Sequence, residues 1–273
     1  ERQGFQATRV PVDSRGRVAP EAVREALTER TILIAVHHTN HDIGTIEPIA
    51  EIGASAAERG IPLLVDASAS GGWVPIDVQA MFVSLLTLSP HRFYGPKGVG
   101  ILYRARGTRL APLIRGGRQE HGLRAGTENL PAIVGAGVAA GLAAKGLPDR
   151  AARTAALQLR LWDGLRGQIE GISLNGPDLG AARHPGNLHV SVEGVVEGEA
   201  LVLALDLRGL ALHSGASCGD RPNRVPPVLT AIGLSPEQVQ NSVLLSPGFE
   251  NTEAEIDHAV ELFAAQVRKL REL

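Results

Sequence analysis

The stretch Ile61-Pro62-Leu63-Leu64-Val65-Asp66-Ala67-Ser68-Ala69-Ser70-Gly71-Gly72 decides how this 273-residue chain is read. An unbroken apolar run that ends in an acid, followed by small residues, is the pattern of a strand buried on both faces that delivers a side chain to the edge of a sheet. Just upstream, Pro48 to Arg59 is Ala-rich and amphipathic and reads as a helix that Gly60 stops. Before it, Thr31-Ile32-Leu33-Ile34-Ala35-Val36-His37 reads as another buried strand. Downstream, Phe82 to Leu88 and Val99 to Tyr103 are further apolar runs bounded by turn residues. Strands alternating with helices in this way predict an α/β sheet, mostly parallel or mixed, covered on both faces.

The pattern changes after the sheet. From about Asn129 to Ile169 the chain is Ala/Leu-rich and helical, with a break near Gly146 to Pro148. The remainder reads as a smaller α+β unit: a strand at Asn187 to Val192, a helix at Glu197 to Leu207, a strand at Leu210 to Ser214, a Gly/Pro-containing loop, and a closing helix from Thr252. Asn251 or Thr252 would cap that helix, and Glu253 and Glu255 sit in its first turn, where acids favour the dipole. The expected division is a partial large domain over residues 1–146 and a connecting helix plus small C-terminal domain over 147–273.

Composition narrows the function classes. With 27 Lys and Arg against 29 Asp and Glu, the net charge of -2 gives no electrostatic reason to expect nucleic acid or an anionic membrane as partner. No apolar run approaches the roughly 20 residues that cross a bilayer, and the first residues carry no signal-peptide pattern, so a cytoplasmic protein is expected. The single cysteine, Cys218, excludes an internal disulfide and an all-cysteine metal site from one chain, and no metal site is expected. Cys218 can be a buried filler, a reactive thiol or one ligand of a shared site.

Four places could carry chemistry. Asp66 follows a buried strand, and ligands of open α/β sheets sit beyond the carboxyl ends of strands; a turn cap is the alternative role. Leu88-Ser89-Pro90-His91-Arg92-Phe93-Tyr94-Gly95-Pro96-Lys97-Gly98 packs a hydroxyl, an imidazole and two cations into one loop, which suits an anion or, more plainly, a tight connection with exposed charges. The segment from Gly116 to Asn129, with Arg118, Arg124 and Thr127, is either phosphate-binding or a mobile edge loop. Cys218 lies in Ser214-Gly215-Ala216-Ser217-Cys218-Gly219-Asp220, with Arg221 and Arg224 near enough in sequence to favour a thiolate.

Together these segments resemble the cysteine desulfurases of the NifS/IscS type, in the class V aminotransferase group of fold-type I enzymes that use pyridoxal phosphate (PLP). The motifs are Ile43-Gly44-Thr45-Ile46-Glu47-Pro48, Val65-Asp66-Ala67, His91 with Phe93-Tyr94-Gly95-Pro96-Lys97-Gly98, Gly126-Thr127-Glu128-Asn129, Glu197-Gly198-Glu199, and Ser214-Gly215 ahead of Cys218. The resemblance implies a PLP-dependent transferase fold of type I, with a central mostly parallel sheet and a small α+β domain.

It also implies roles. Asp66 would pair with the pyridinium nitrogen, Ser89 and His91 would hold the phosphate, Thr127 would reach the phosphate of a partner subunit, and Cys218 would carry the persulfide. The lysine that forms the Schiff base falls at position 92, where this chain has Arg92, whose guanidinium does not form that imine. An asparagine that contacts the cofactor ring is replaced by His41, a glutamine by Ala69, and an arginine that holds the substrate carboxylate by Leu244. Family members carry a further N-terminal portion ahead of the segment matching Glu1, which would belong to a longer protein or be supplied by a partner. The expectation is a degenerate homologue in which PLP is absent or non-covalent. It would act as scaffold, partner subunit or sulfur acceptor, in a homodimer or a heterodimer with a desulfurase-like chain, and serve sulfur transfer or iron-sulfur assembly. The alternative is an active desulfurase that converts L-cysteine to L-alanine with a Cys218 persulfide.

Overall fold

The structure is a computed structural model that describes residues 4–195, 197–214 and 225–272. In chain order it begins with α1 (Pro20–Ala26), β1 (Ile34–His37), α2 (Ile49–Glu58), β2 (Leu63–Asp66), β3 (Leu85–Leu88) and β4 (Ile101–Arg104). Two helices follow, α3 (Leu130–Lys145) and α4 (Leu147–Gln168). The rest is β5 (Ile172–Leu174), β6 (Leu188–Val192), α5 (Gly198–Asp206), β7 (His213–Ser214), α6 (Pro227–Ala231), α7 (Pro236–Gln240), β8 (Ser242–Leu245) and α8 (Glu253–Arg271). The chain packs as two compact units, each discontinuous in sequence: Leu27–His38 with Pro48–Leu147, and Glu1–Ala26 with Thr39–Glu47 and Pro148–Leu273.

The first unit is built on a four-stranded sheet of order β1-β2-β3-β4. β1, β2 and β3 are parallel and β4 is antiparallel to β3. The apolar run that opened the reading is the centre of this sheet: Leu63 and Val65 are fully buried. On α2, Ile49, Ile52 and Ala56 fall on one buried face at helical spacing. The strands are shorter than the sequence suggests. Of Thr31 to His37 only Ile34–His37 is strand, and Ile32 and Leu33 are exposed, as is Leu102 of β4. β1 and β4 are the edge strands, so covering on both faces, the pattern of an all-parallel sheet's interior, applies here to β2 and β3 alone.

The second unit carries an antiparallel sheet of order β5-β6-β8-β7. One face is apolar: Leu188, Val190, Val192, Val243 and Leu245 join Leu161 and Leu165 of α4 and Phe263 of α8 in a buried core. Thr252 caps α8, its hydroxyl accepting from Glu255 N at 3.2 Å while the Glu255 carboxylate accepts from Thr252 N at 2.8 Å. The expected strand from Leu210 shrinks to His213–Ser214, two residues paired with β8. Among the described residues no single helix is long and apolar enough to cross a membrane.

Candidate functional site

Because β1, β2 and β3 run parallel, their carboxyl ends share one edge, and register puts His37 beside Asp66 and Asp66 beside Thr87. Asp66 Oδ1 accepts from Ser68 N at 2.9 Å and from the Thr87 hydroxyl at 3.1 Å. Partial burial would raise its pKa, but the Ser68 and Thr87 hydrogen bonds and the charge of nearby His37 together hold the carboxyl below the usual range. Asp66 is therefore an anion fixed at the rim of the sheet. The Ser89 hydroxyl donates to that of Ser68 at 3.2 Å, so Ser89 joins the same cluster.

Behind this rim lies a buried histidine. His38 Nδ1 is 3.0 Å from the Ser70 hydroxyl, which itself donates to Ala67 O. Burial, and secondarily the charge of His37, pushes the His38 pKa from 6.5 down to about 4. Its backbone N–H donates to Asp66 O at 2.8 Å, which ties the chain after β1 to the strand end that presents Asp66.

The loop after β3 opens with a short 3-10 turn, Pro90–Phe93. Pro90 and Phe93 are buried, the latter against Ala139 and Ala143 of α3, while His91 and Arg92 face solvent. Trp73 Nε1 donates to the carbonyl oxygen of Arg92 at 2.9 Å. Tyr94 closes the turn in the left-handed region at φ 65°, its ring 6.0 Å from that of Trp73. Sequence reasoning passed over Trp73, His37, His38, Ser68 and Thr87. The signal for His37 and Thr87 was their place at or beside a strand's carboxyl end; Trp73 and Ser68 gave none. Ala69 is half-buried in the turn after Asp66, and Thr127 is exposed just before Asn129, whose side chain caps α3.

His41 and Leu244 belong to the second unit. The His41 imidazole is exposed, 3.5 Å from Asp42, and its carbonyl accepts from Asn187 Nδ2 at 3.0 Å. Asn40 Oδ1 accepts from the backbone of Asp42 and Ile43, and Gly44 takes φ +75°, where a Cβ would lie 2.9 Å from the Asn187 side chain. The Ile43 to Glu47 motif thus owes its glycine to backbone angle and close approach. Leu244 on β8 pairs with His189 of β6 on one side and His213 of β7 on the other. His189 is fully buried and held neutral, its pKa pushed down to about 3 by burial, then by the charges of Arg183 and His213. Cys218 lies outside the described residues.

The strand-edge acid, the loop beyond the third strand and the antiparallel second sheet define a class, and the chain belongs to it: residues 1–259 match the class-V aminotransferase family. Within that family it belongs to the IscS/NifS-like cysteine desulfurase group. It is 42% identical to cysteine desulfurase IscS of Clostridium botulinum strain Hall over 273 residues, all of this chain and 68% of that protein. Among solved structures, a NifS-like protein superposes with a TM-score of 0.88 at 32% identity, over 97% of this chain and 68% of that one. SspA in complex with cysteine gives 0.74 at 34% identity, over 91% and 68%.

This family is PLP-dependent. The residues present fit one half of that cofactor's needs. Asp66, held ionised at the strand edge, suits a protonated ring nitrogen, and Ser89 stands beside it. Where the resemblance places the Schiff-base lysine, position 92 offers a guanidinium, which does not suit the covalent half.

Proposed function

We propose that this chain is a desulfurase-family protein that holds no covalent PLP at its own site and serves as a scaffold, partner subunit or sulfur acceptor. Arg92 carries the reading: its backbone is pinned at the turn by Trp73, and its side chain is one that makes no imine. Leu244, flanked by two imidazoles, leaves a substrate carboxylate without a bidentate partner. A simple anion such as phosphate then suits the His91 imidazole and the Arg92 guanidinium better than PLP. The chain acts as a homodimer or beside a desulfurase-like chain, a reading supported by the exposed loop around Thr127.

As acceptor, the Cys218 thiolate attacks the terminal sulfur of a donor's cysteine persulfide. The donor's S–S bond breaks, its cysteine leaves as thiolate, and Cys218 becomes the persulfide with no net redox change. The test is intact mass after incubation with an active desulfurase, PLP and L-cysteine. A gain of one sulfur that is lost in Cys218→Ser supports transfer, and no gain removes the acceptor role. The second reading, an active desulfurase forming alanine from L-cysteine, is favoured by the retained, ionised Asp66. Alanine release by the purified chain would establish it.

A further inference from the structure

Arg153, Ala156, Leu157 and Arg160 stand at i, i+3, i+4 and i+7 on α4 and so share one face of that helix. On α8, Glu253 and Asp257 are one turn apart, and Arg160 reaches both. It clamps Asp257 with two bonds, Nε to Oδ1 at 2.6 Å and Nη2 to Oδ2 at 2.7 Å, while its Nη1 donates to Glu253 Oε2 at 2.9 Å. Arg153 donates through Nη2 to the carbonyl oxygen of Asn251 at 3.1 Å, in the turn that enters α8.

Between these side chains lies an open cavity of about 420 Å³, lined by Arg153, Ala156, Leu157, Arg160 and Glu253. That volume is at the small end of ligand sites. Its walls are held in place: the capping box of Thr252 and Glu255 fixes the first turn of α8, and the Arg150 guanidinium lies 5.0 Å from the centroid of the Phe249 ring in the turn before it. Arg153 and Glu253 line the same space with opposite charge, yet among the described residues they form no ion pair with each other. Each is tied to another group, Arg153 to Asn251 and Glu253 to Arg160. Arg153 keeps further N–H groups for an acceptor, and the Glu253 carboxylate keeps lone pairs for a donor.

We propose that the cavity between α4 and α8 binds a free α-amino acid with an apolar side chain, its carboxylate on Arg153, its ammonium group on Glu253 and its side chain over Ala156 and Leu157. Charge selects the class. Arg153 and Arg160 stand against Glu253 and Asp257, so a zwitterion leaves the site balanced, whereas a simple carboxylate would face Glu253 and a simple amine would face Arg153. Arg160 and Glu253 are partly open to solvent, at 44% and 72%, so binding is weak, with a dissociation constant on the order of a millimolar. The site shares no residue with the strand-edge cluster and does not depend on Arg92 or Cys218.

The test is an amide NMR titration of the full chain with L-leucine, with isocaproate, which lacks its ammonium group, and with isoamylamine, which lacks its carboxylate. L-Leucine is expected to shift the amides of Arg153, Leu157 and Glu253 saturably and to bind about fivefold more tightly than either comparator. Arg153→Ala should weaken L-leucine about fivefold and leave isoamylamine unchanged, and Glu253→Gln should weaken L-leucine to a similar degree and spare isocaproate. Spectral dispersion like that of the parent would show that both variants fold; should either fail to, the comparison of the three ligands on the parent chain decides alone. L-Leucine that binds no more tightly than both comparators, shifts that do not saturate or that lie away from α4 and α8, or binding indifferent to both substitutions would each overturn the proposal.

Discussion

Trp73 Nε1 donates to the carbonyl oxygen of Arg92 at 2.9 Å, so the backbone of the turn that ends the third strand is fixed without using the Arg92 side chain. The two residues should therefore respond differently to mutation. Trp73→Phe removes a hydrogen bond from a buried indole and should cost about 1 kcal/mol. Arg92→Ala touches only an exposed side chain and should cost under about 0.5 kcal/mol. Urea unfolding of both variants checks this; an equal loss would mean that the guanidinium, too, supports the turn.

His38 gives a pH signature. Its folded pKa of about 4 lies below the ordinary 6.5, so the unfolded chain binds the proton more readily. This contribution to stability is complete above about pH 6.5, falls as pH drops toward 4, and is fully lost below that, an effect on the order of 3 kcal/mol. His38→Asn removes the titrating group. The urea midpoint of this variant should vary less between pH 6.5 and 4 than that of the parent; identical slopes would contradict the assignment.

Gly44 should not tolerate a side chain. At φ +75°, with Asn187 2.9 Å from where a Cβ would stand, Gly44→Ala adds left-handed strain to a clash. A loss of about 1–3 kcal/mol is expected, read from the thermal midpoint. Asn187→Ala in the same background should relieve the part of the clash due to Cγ and Oδ1, leaving the 3.0 Å approach of its Cβ and the backbone strain.

Much of this was legible in the sequence, for a physical reason. Leu63 and Val65 had to be buried, so the central strand and the acid that ends it could be read from hydrophobic pattern alone. The start of α8 was legible to within a residue, Asn251 or Thr252, and the structure makes Thr252 the cap with Glu255 as its partner. What escaped was whatever depends on distant pairing. β8 is a short strand that turns Val243 and Leu245 to the core and Ser242 and Leu244 to its other face, a pattern too brief to read until β6 and β7 are placed beside it. Trp73 gave no sign that it would reach Arg92, and His38 gave none that Ser70 would be its partner. The substitutions at 41, 69, 92 and 244 were legible only through resemblance, because spacing alone assigns them no role.

Arg92→Lys should not by itself create a desulfurase. A lysine there would restore the amine, but Ala69, His41 and Leu244 would still stand where the resemblance places cofactor and substrate contacts. Purified Arg92→Lys given PLP and L-cysteine should release no alanine above the parent protein. Release at a rate that saturates with L-cysteine would show that Arg92 alone separates this chain from its active relatives.

The most direct measurement is a visible absorbance spectrum of the unmodified chain, recorded after equilibration with PLP and desalting without reductant. The expected result is no retained visible band of the kind a protein-bound PLP imine gives. A stoichiometric band that survives desalting, bleaches with borohydride and maps to a lysine such as Lys97 would contradict the account.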